Sequence, residues 1–341
     1  MATFEELLRS WTGEQAVIRY DAPSGAWILV CLHSTALGPA AGGTRLNVYA
    51  TPADGLADAM RLAAGMTSKM AVAGIGLGGG KAVLAVPELP SGEARRRLLH
   101  AYAEVVDSLH GSFVTAEDVN TTSADMDVIA ERTAHVFGRS ERNGGSGDPG
   151  PFTALGVYHG MRASLAHMFG SDAVPGRTVV VQGAGSVGTA LAERLGQEGA
   201  TVLVADVDRA RAETAAAAAG GRTISADAVV QTECDVYAPC ALGATLSAET
   251  IPRLCCKIVA GSANNQLAEP QDAALLREAG IVYAPDYAIN AGGAIAIAAL
   301  ELQGRTAAEV DEALAAIGPT VAEILARADR EGISTAAAAD A

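Results

Sequence analysis

Apolar and polar positions change period several times along this chain, and each change marks an element. Ala16–Arg19 and Ala26–Leu32 are short runs separated by Pro23-Ser24-Gly25, which predicts two strands joined by a turn. Pro52–Gly65 has helical spacing, with Thr51 as N-cap and Pro52 at the first helical position. Ala82–Val86 reads as a strand, Ser91–Leu109 as an amphipathic helix with its arginines to water, and Phe113–Thr115 as a short strand ending at Glu117-Asp118. The pattern then breaks over Arg139–Pro151, rich in Gly, Ser, Asn and charge, where an interdomain hinge is expected. A second alternation follows: helix Phe152–Phe169, strand Thr178–Gln182, helix Val187–Glu198, strand Thr201–Ala205 and the alanine-rich helix Arg209–Ala219. Shorter strands are expected near Val236, Ile258 and Val282. The tail, Ala307–Ala339, reads as helical, and its last part, about 320–341, is expected to fold back on the first domain.

Alternating strands and helices define an α/β chain. Its 341 residues suit two domains, here placed at 1–140 and 150–319. Half of the residues are apolar and 18% are charged, so a sizeable core is available and global disorder is excluded. The net charge of −15 repels phosphate backbones and anionic lipid, which argues against nucleic-acid and membrane-surface partners; the plainer reading is solubility. No run of eighteen apolar residues is present. Thr3-Phe4-Glu5-Glu6 reads as a helix capping box rather than the start of a signal peptide. The five cysteines, Cys31, Cys234, Cys240, Cys255 and Cys256, form no C-x-x-C pair and read as buried reduced thiols of a cytoplasmic protein.

Only three of the 24 basic residues are lysine: Lys69, Lys81 and Lys257. Where the chain needs a generic surface cation it uses arginine. Yet Lys69 and Lys81 lie within the apolar, glycine-rich segment Met66–Leu84. As bare residues they read in two ways: as lysines snorkelling beside a core helix, or as functional amines that desolvation can bring toward neutrality.

G-x-G-x-x-G occurs twice. Gly74-Ile75-Gly76-Leu77-Gly78-Gly79 is followed by a strand, so no helix N-terminus is available for a pyrophosphate, and Ala82 after Lys81 fails the P-loop pattern. Its glycines are expected to let backbone approach a ligand closely. Gly183-Ala184-Gly185-Ser186-Val187-Gly188 follows a strand and opens a helix, and the next strand ends at Asp206, 23 residues beyond Gly183. That is the setting of a Rossmann dinucleotide site. Gly183 makes the turn, Gly185 admits the pyrophosphate, Gly188 packs helix on strand, and the backbone at Ser186 and Val187 meets the phosphates. Asp206 would accept the ribose hydroxyls and repel a 2′-phosphate, which favours NAD over NADP.

The segments Gly38-Pro39-Ala40-Ala41-Gly42-Gly43-Thr44-Arg45, Gly65-Met66-Thr67-Ser68-Lys69-Met70 and Gly78-Gly79-Gly80-Lys81 resemble the glutamate, leucine, phenylalanine and valine dehydrogenase superfamily. So do Thr115-Ala116-Glu117-Asp118-Val119-Asn120, Ala260-Gly261-Ser262-Ala263-Asn264-Asn265 and Asn290-Ala291-Gly292-Gly293, in the family's order over nearly the whole chain. The resemblance implies an N-terminal α/β substrate domain, a C-terminal Rossmann (doubly wound) NAD-binding domain and a cleft between them. It implies that Lys69 and Asn265 hold the substrate carboxylate, that Lys81 is the general base activating water, and that Asp118 passes protons to and from the amino group. Gly42 and Met66 are assigned to the substrate site and Asn290 to the cofactor site on the same ground. A glycine-rich wall and a neighbouring cation would favour the basic form of Lys81. Without the resemblance, the N-cap of a helix over Thr121–Glu131 stays open as the lesser reading of Asp118. Expected partners are an amino acid, its 2-oxo acid and ammonia, in a homo-oligomer.

Branched-chain members often carry leucine where this chain has Ala41, and valine where it has Ala294. Smaller residues there deepen a pocket, and extra buried apolar area is worth roughly 25 cal/mol per Å². The stretches Cys234–Cys240 and Val282–Tyr287 also look most like actinobacterial phenylalanine dehydrogenases, so phenylalanine is the expected substrate, with leucine or valine as the alternative. Thr122 points the other way, because threonine there is more usual in leucine and valine enzymes. The six histidines form no metal-binding spacing, so no metal site is expected.

Overall fold

A computed structural model describes residues 3–241 and 243–341. The chain divides into two units, Met1–Asp148 with Ile297–Gly304, and Pro149–Ala296 with Arg305–Ala341.

The first unit contains α1 (Phe4–Ser10), β1 (Gln15–Asp21), β2 (Ala26–Ser34), β3 (Ala40–Val48), α2 (Pro52–Ala73), β4 (Gly78–Val86), α3 (Gly92–Asp107), β5 (Phe113–Glu117) and α4 (Ser123–Ala130). Its strands form a mixed sheet in the order β1-β2-β4-β3-β5. β4, β3 and β5 run parallel, and β2 pairs with β4 antiparallel. Alternation sorts the side chains onto two faces. Ala82, Leu84 and Val86 pack with Leu98, Leu99 and Tyr102 of α3. Val83 and Ala85 pack with Leu56, Ala59 and Ala63 of α2. Lys81 shares the parity of Val83 and Ala85, so it stands on the α2 face.

Three sequence expectations change here. α2 continues to Ala73, two turns beyond Gly65, and so carries both Met66 and Lys69; Gly74, at φ +64°, ends it in the left-handed region. β3 had no strand reading, because Ala40-Ala41-Gly42-Gly43 lacks the β-branched residues that announce one. β4 begins at Gly78 rather than Ala82, and its glycines allow close packing within the unit. A methyl group on Gly79 would collide with Thr67 of α2, and one on Gly80 would press on the Phe113 ring.

The second unit contains α5 (Gly150–Phe169), β6 (Thr178–Gln182), α6 (Ser186–Gln197), β7 (Thr201–Ala205), α7 (Arg209–Ala218), β8 (Arg222–Thr223), β9 (Val236–Pro239), β10 (Ile258–Val259), α8 (Asp272–Glu278), β11 (Val282–Tyr283), α9 (Asp286–Ile289), α10 (Gly292–Ile297), α11 (Ala307–Ala315), α12 (Ile317–Glu331) and α13 (Thr335–Asp340). The sheet is parallel, in the order β11-β10-β9-β6-β7-β8, which is the doubly wound order with its switch point between β6 and β9.

The C-terminal helices do not join the first unit, as the sequence reading expected. A methyl group on Gly156 or Gly160 of α5 would meet Ile317 or Val321 of α12, so small residues on α5 seat α12 within the second unit. The stretch that does return to the first unit is Ile297–Gly304, which includes a π-helical turn, Ala298–Leu302.

Among the described residues no helix is long and apolar enough to cross a membrane. The cysteines are all free, but not all are buried: Cys255 is exposed.

Candidate active site

In the first unit, strand parity brings four functional positions to the α2 face. On β3 these are Ala41 and Arg45, on β4 Lys81, and just past the end of β5 Asp118, two residues beyond Ala116. Asp118 Oδ2 lies 3.1 Å from Lys81 Nζ and accepts a hydrogen bond from Arg45 Nε at 2.9 Å. Lys81 is 5% exposed, so this is a largely dehydrated ion pair. Burial pushes the Asp118 carboxyl upward, but the Lys81 and Arg45 charges outweigh it and hold the group below the usual carboxylate range. Arg45 shares that carboxylate oxygen with Lys81.

Asp118 is not a helix cap. The N-cap of α4 is Thr122, whose amide and hydroxyl both donate to Asp125 Oδ2, at 2.8 and 2.9 Å. This commitment also gives Thr122 a structural task apart from substrate selection. The turn that presents Asp118 is held by Thr121, whose hydroxyl accepts from the Asp118 amide and donates to the Thr44 carbonyl, both at 2.8 Å.

Met66 and Lys69 are half-buried on α2. Ala41 is 4% exposed. Gly42 is a packing glycine: any side chain there would strike the Gly80 carbonyl.

Arg45 is the neighbour of Asp118 that the sequence reading passed over, although it stood inside a quoted motif. Its Nη1 donates to Asp58 Oδ2 at 2.8 Å, and Asp58 in turn accepts from Tyr49 Oη and Arg61, each at 2.7 Å. The signal available was an arginine next to a glycine pair, on a strand whose neighbours are buried.

In the second unit, Gly183 takes φ +108°, and a side chain at Gly188 would strike the Gly183 carbonyl. Gly185 faces open space that a Cβ would begin to fill, at the N-terminus of α6 with Ser186 and Val187. Asp206 is half-buried beyond β7, and its Oδ2 accepts from the Ala184 amide at 2.7 Å. Asn290 is 6% exposed. Its Nδ2 donates to the Ser262 carbonyl and to Asn264 Oδ1, at 3.0 and 2.9 Å, while its buried Oδ1 has no partner. An orphaned buried acceptor, an open glycine cradle and an acidic strand end all fit a nicotinamide dinucleotide. Asn265 is exposed and holds φ +50°, and Ala294 is half-buried on α10. Among the described residues no group of three or more His, Cys, Asp or Glu is placed to hold a metal ion.

The doubly wound sheet with this glycine loop defines a dinucleotide-dependent oxidoreductase class. Residues 25–135 match the family model described as Glu/Leu/Phe/Val dehydrogenase, dimerisation domain, and residues 203–340 match that of Glutamate/Leucine/Phenylalanine/Valine dehydrogenase. A leucine dehydrogenase of Thermoactinomyces intermedius is 43% identical over 98% of this chain and 91% of its own length. A valine dehydrogenase of Streptomyces albus is 47% identical over 96% of this chain and 90% of its own length. The crystal structure of L-tryptophan dehydrogenase from Nostoc punctiforme superposes with a TM-score of 0.81 at 36% identity, covering 99% of this chain and 96% of that one. The chain belongs to the Glu/Leu/Phe/Val dehydrogenase family and is an NAD-dependent amino acid dehydrogenase.

Proposed function

We propose that the protein catalyses the reversible oxidative deamination of an apolar L-amino acid, and that its preferred substrate is branched-chain, leucine or valine. The observation that carries the reaction is the buried Lys81–Asp118 pair. The branched-chain reading departs from the sequence expectation of phenylalanine. It is supported by leucine and valine dehydrogenases that are 43–47% identical over nearly the full chain. Phenylalanine stays as the second reading, supported by the small side chains of Ala41 and Ala294 and by the structural likeness to a tryptophan dehydrogenase.

Lys69 and Asn265 hold the substrate carboxylate and so aim the α-hydrogen. Gly183, Gly185, Ser186, Val187, Gly188, Asp206 and Asn290 would hold NAD, which would supply the hydride acceptor. Asp118 takes the proton from the substrate ammonium. Lys81 then deprotonates the water that adds to the imine carbon; Asp118 returns its proton to the amino group of the resulting carbinolamine, and the C–N bond breaks to release ammonia as the hydroxyl proton passes to solvent. The products are the 2-oxo acid, ammonia and NADH. The family model over residues 25–135 bears the description of a dimerisation domain, which supports a homo-oligomer. Five free thiols fit a cytoplasmic setting.

The test is NADH formation with each L-amino acid in turn, at alkaline pH. A dominant leucine or valine rate supports the main reading. A dominant phenylalanine rate keeps the mechanism and reverses the preference. Lys81→Ala must lose about a thousandfold or more in turnover while NAD affinity holds; wild-type turnover would remove Lys81 as the base.

A further inference from the structure

Asp118 presents one carboxylate oxygen, Oδ2, to two cations. Lys81 Nζ and Arg45 Nε both meet Oδ2, at 3.1 and 2.9 Å. Arg45 is itself fixed from behind by α2. Its Nη1 donates to Asp58 at 2.8 Å, and Asp58 is braced by Tyr49 Oη and by Arg61, each at 2.7 Å. The Arg45 and Asp58 side chains are 17% and 16% exposed, so the row is shielded from competing water. The charges alternate: Lys81, Asp118, Arg45, Asp58, Arg61.

We propose that Arg45, clamped by Asp58 and Tyr49, is a positioning residue for the deamination reaction: by holding Asp118 Oδ2 it fixes the orientation in which that carboxylate meets the substrate nitrogen. This deepens the reading given above and rests on it. The guanidinium suits the task because its Nε and Nη1 edges address two carboxylates at fixed geometry, which a lysine ammonium on a flexible stem does not. Removing Arg45 would leave Asp118 held by Lys81 alone, with nothing from β3 to fix the plane of its carboxylate.

Lys81 from β4 and Arg45 from β3 face Asp118, with Asp58 and Arg61 of α2 behind Arg45. The adjacent Glu117 turns away and accepts from Ser123 Oγ at 3.1 Å. Loss of a cation from this cluster makes proton release by any member harder, so the acidic limb of kcat/KM moves to higher pH.

The experiment uses the full-length enzyme with Arg45→Gln, Arg45→Lys, Asp58→Asn and Asp118→Asn. Arg45→Gln is expected to lower kcat at least about tenfold, change KM less, and move the acidic limb up by about one unit. Arg45→Lys is expected to return the limb toward its wild-type position while recovering only part of kcat. Asp58→Asn is expected to lower kcat about threefold without moving the limb upward, since an anion rather than a cation is lost. NAD affinity and the thermal midpoint report whether each variant is folded. A folded Arg45→Gln with wild-type kcat and an unmoved limb, alongside an inactive Asp118→Asn, overturns the proposal and leaves the catalytic reading standing. Wild-type turnover in Asp118→Asn overturns that reading itself. If Arg45→Gln does not fold, Asp58→Asn decides: wild-type kcat there sinks the clamp.

Discussion

The Asp206 carboxylate accepts the Ala184 amide at 2.7 Å, which ties the end of β7 to the glycine loop that follows β6. The other oxygen accepts the Asp208 amide at 2.8 Å. One side chain thus shapes the glycine loop, and in the proposed cofactor site its negative charge would repel a 2′-phosphate. Asp206→Ala should weaken NAD binding and narrow its preference over NADP. It should also cost about 1–3 kcal/mol of stability, because two charge-assisted hydrogen bonds are lost. Cofactor titrations with NAD and NADP check the first effect, and a chemical melt the second. An unchanged cofactor ratio would show that Asp206 only shapes the loop.

Asp125 gives the first unit a defined acid sensitivity. Arg95 Nε and Nη2 grip its two oxygens at 2.7 and 2.8 Å, and Thr122 donates twice to Oδ2. Burial raises this carboxyl, but the hydrogen bonds from Arg95 and Thr122 and the arginine charge prevail and lower it. A carboxyl lowered by folding adds stability above its unfolded value of about 3.9, and that stability is lost as pH falls through the folded value. Asp125→Asn should therefore lower the melting midpoint at neutral pH, by an amount equivalent to about 1–3 kcal/mol. The gap from wild type should shrink below about pH 5. An offset that stays constant with pH would mean that the charge of Asp125 contributes nothing.

The second unit was far more legible in the sequence than the first, and the reason is local. Gly183, Gly185, Gly188 and Asp206 act within one βαβ unit, so their spacing encodes their geometry. Lys81 and Asp118 were legible only through resemblance, because they meet by strand pairing over 37 residues of chain. Arg45 was missed because its partners come from α2 and from beyond β5, and no local period marks it. The packing task of the glycines before Lys81 was hidden for a similar reason: the contacts that require Gly79 and Gly80, Thr67 and Phe113, lie elsewhere in the chain.

Ala41 offers a direct test of the substrate preference. It lies on β3, on the same face as Arg45, and is 4% exposed. Ala41→Leu adds three carbons, so an overall penalty of about 1–3 kcal/mol from overpacking is expected in stability or rate. The informative quantity is therefore a ratio. Phenylalanine kcat/KM should fall more than valine kcat/KM, by about tenfold. Equal losses would place Ala41 outside the pocket and remove the main support for an aromatic substrate.

Glu301 holds the returning segment to the first unit. Its Oε1 accepts from the Ser146 amide at 2.9 Å, the Ser146 hydroxyl at 2.7 Å and the Gly138 amide at 3.0 Å. These donors lie 155 to 163 residues away in sequence, just before the chain first leaves the unit at Asp148. Both crossing stretches are thus joined through one carboxylate on a π-helical turn, an element often found at sites of function. Glu301→Ala strands two backbone donors and a hydroxyl, and should cost about 2–4 kcal/mol. Glu301→Gln keeps an amide oxygen as acceptor and should lose less. Amide hydrogen exchange reads the effect at its source: protection of Ser146 and Gly138 should drop in Glu301→Ala while the amides of β4 stay protected. If Ser146 and Gly138 keep wild-type protection, the carboxylate does not hold these crossings together, and the segment must be retained by the packing of Ala298 and Ala299.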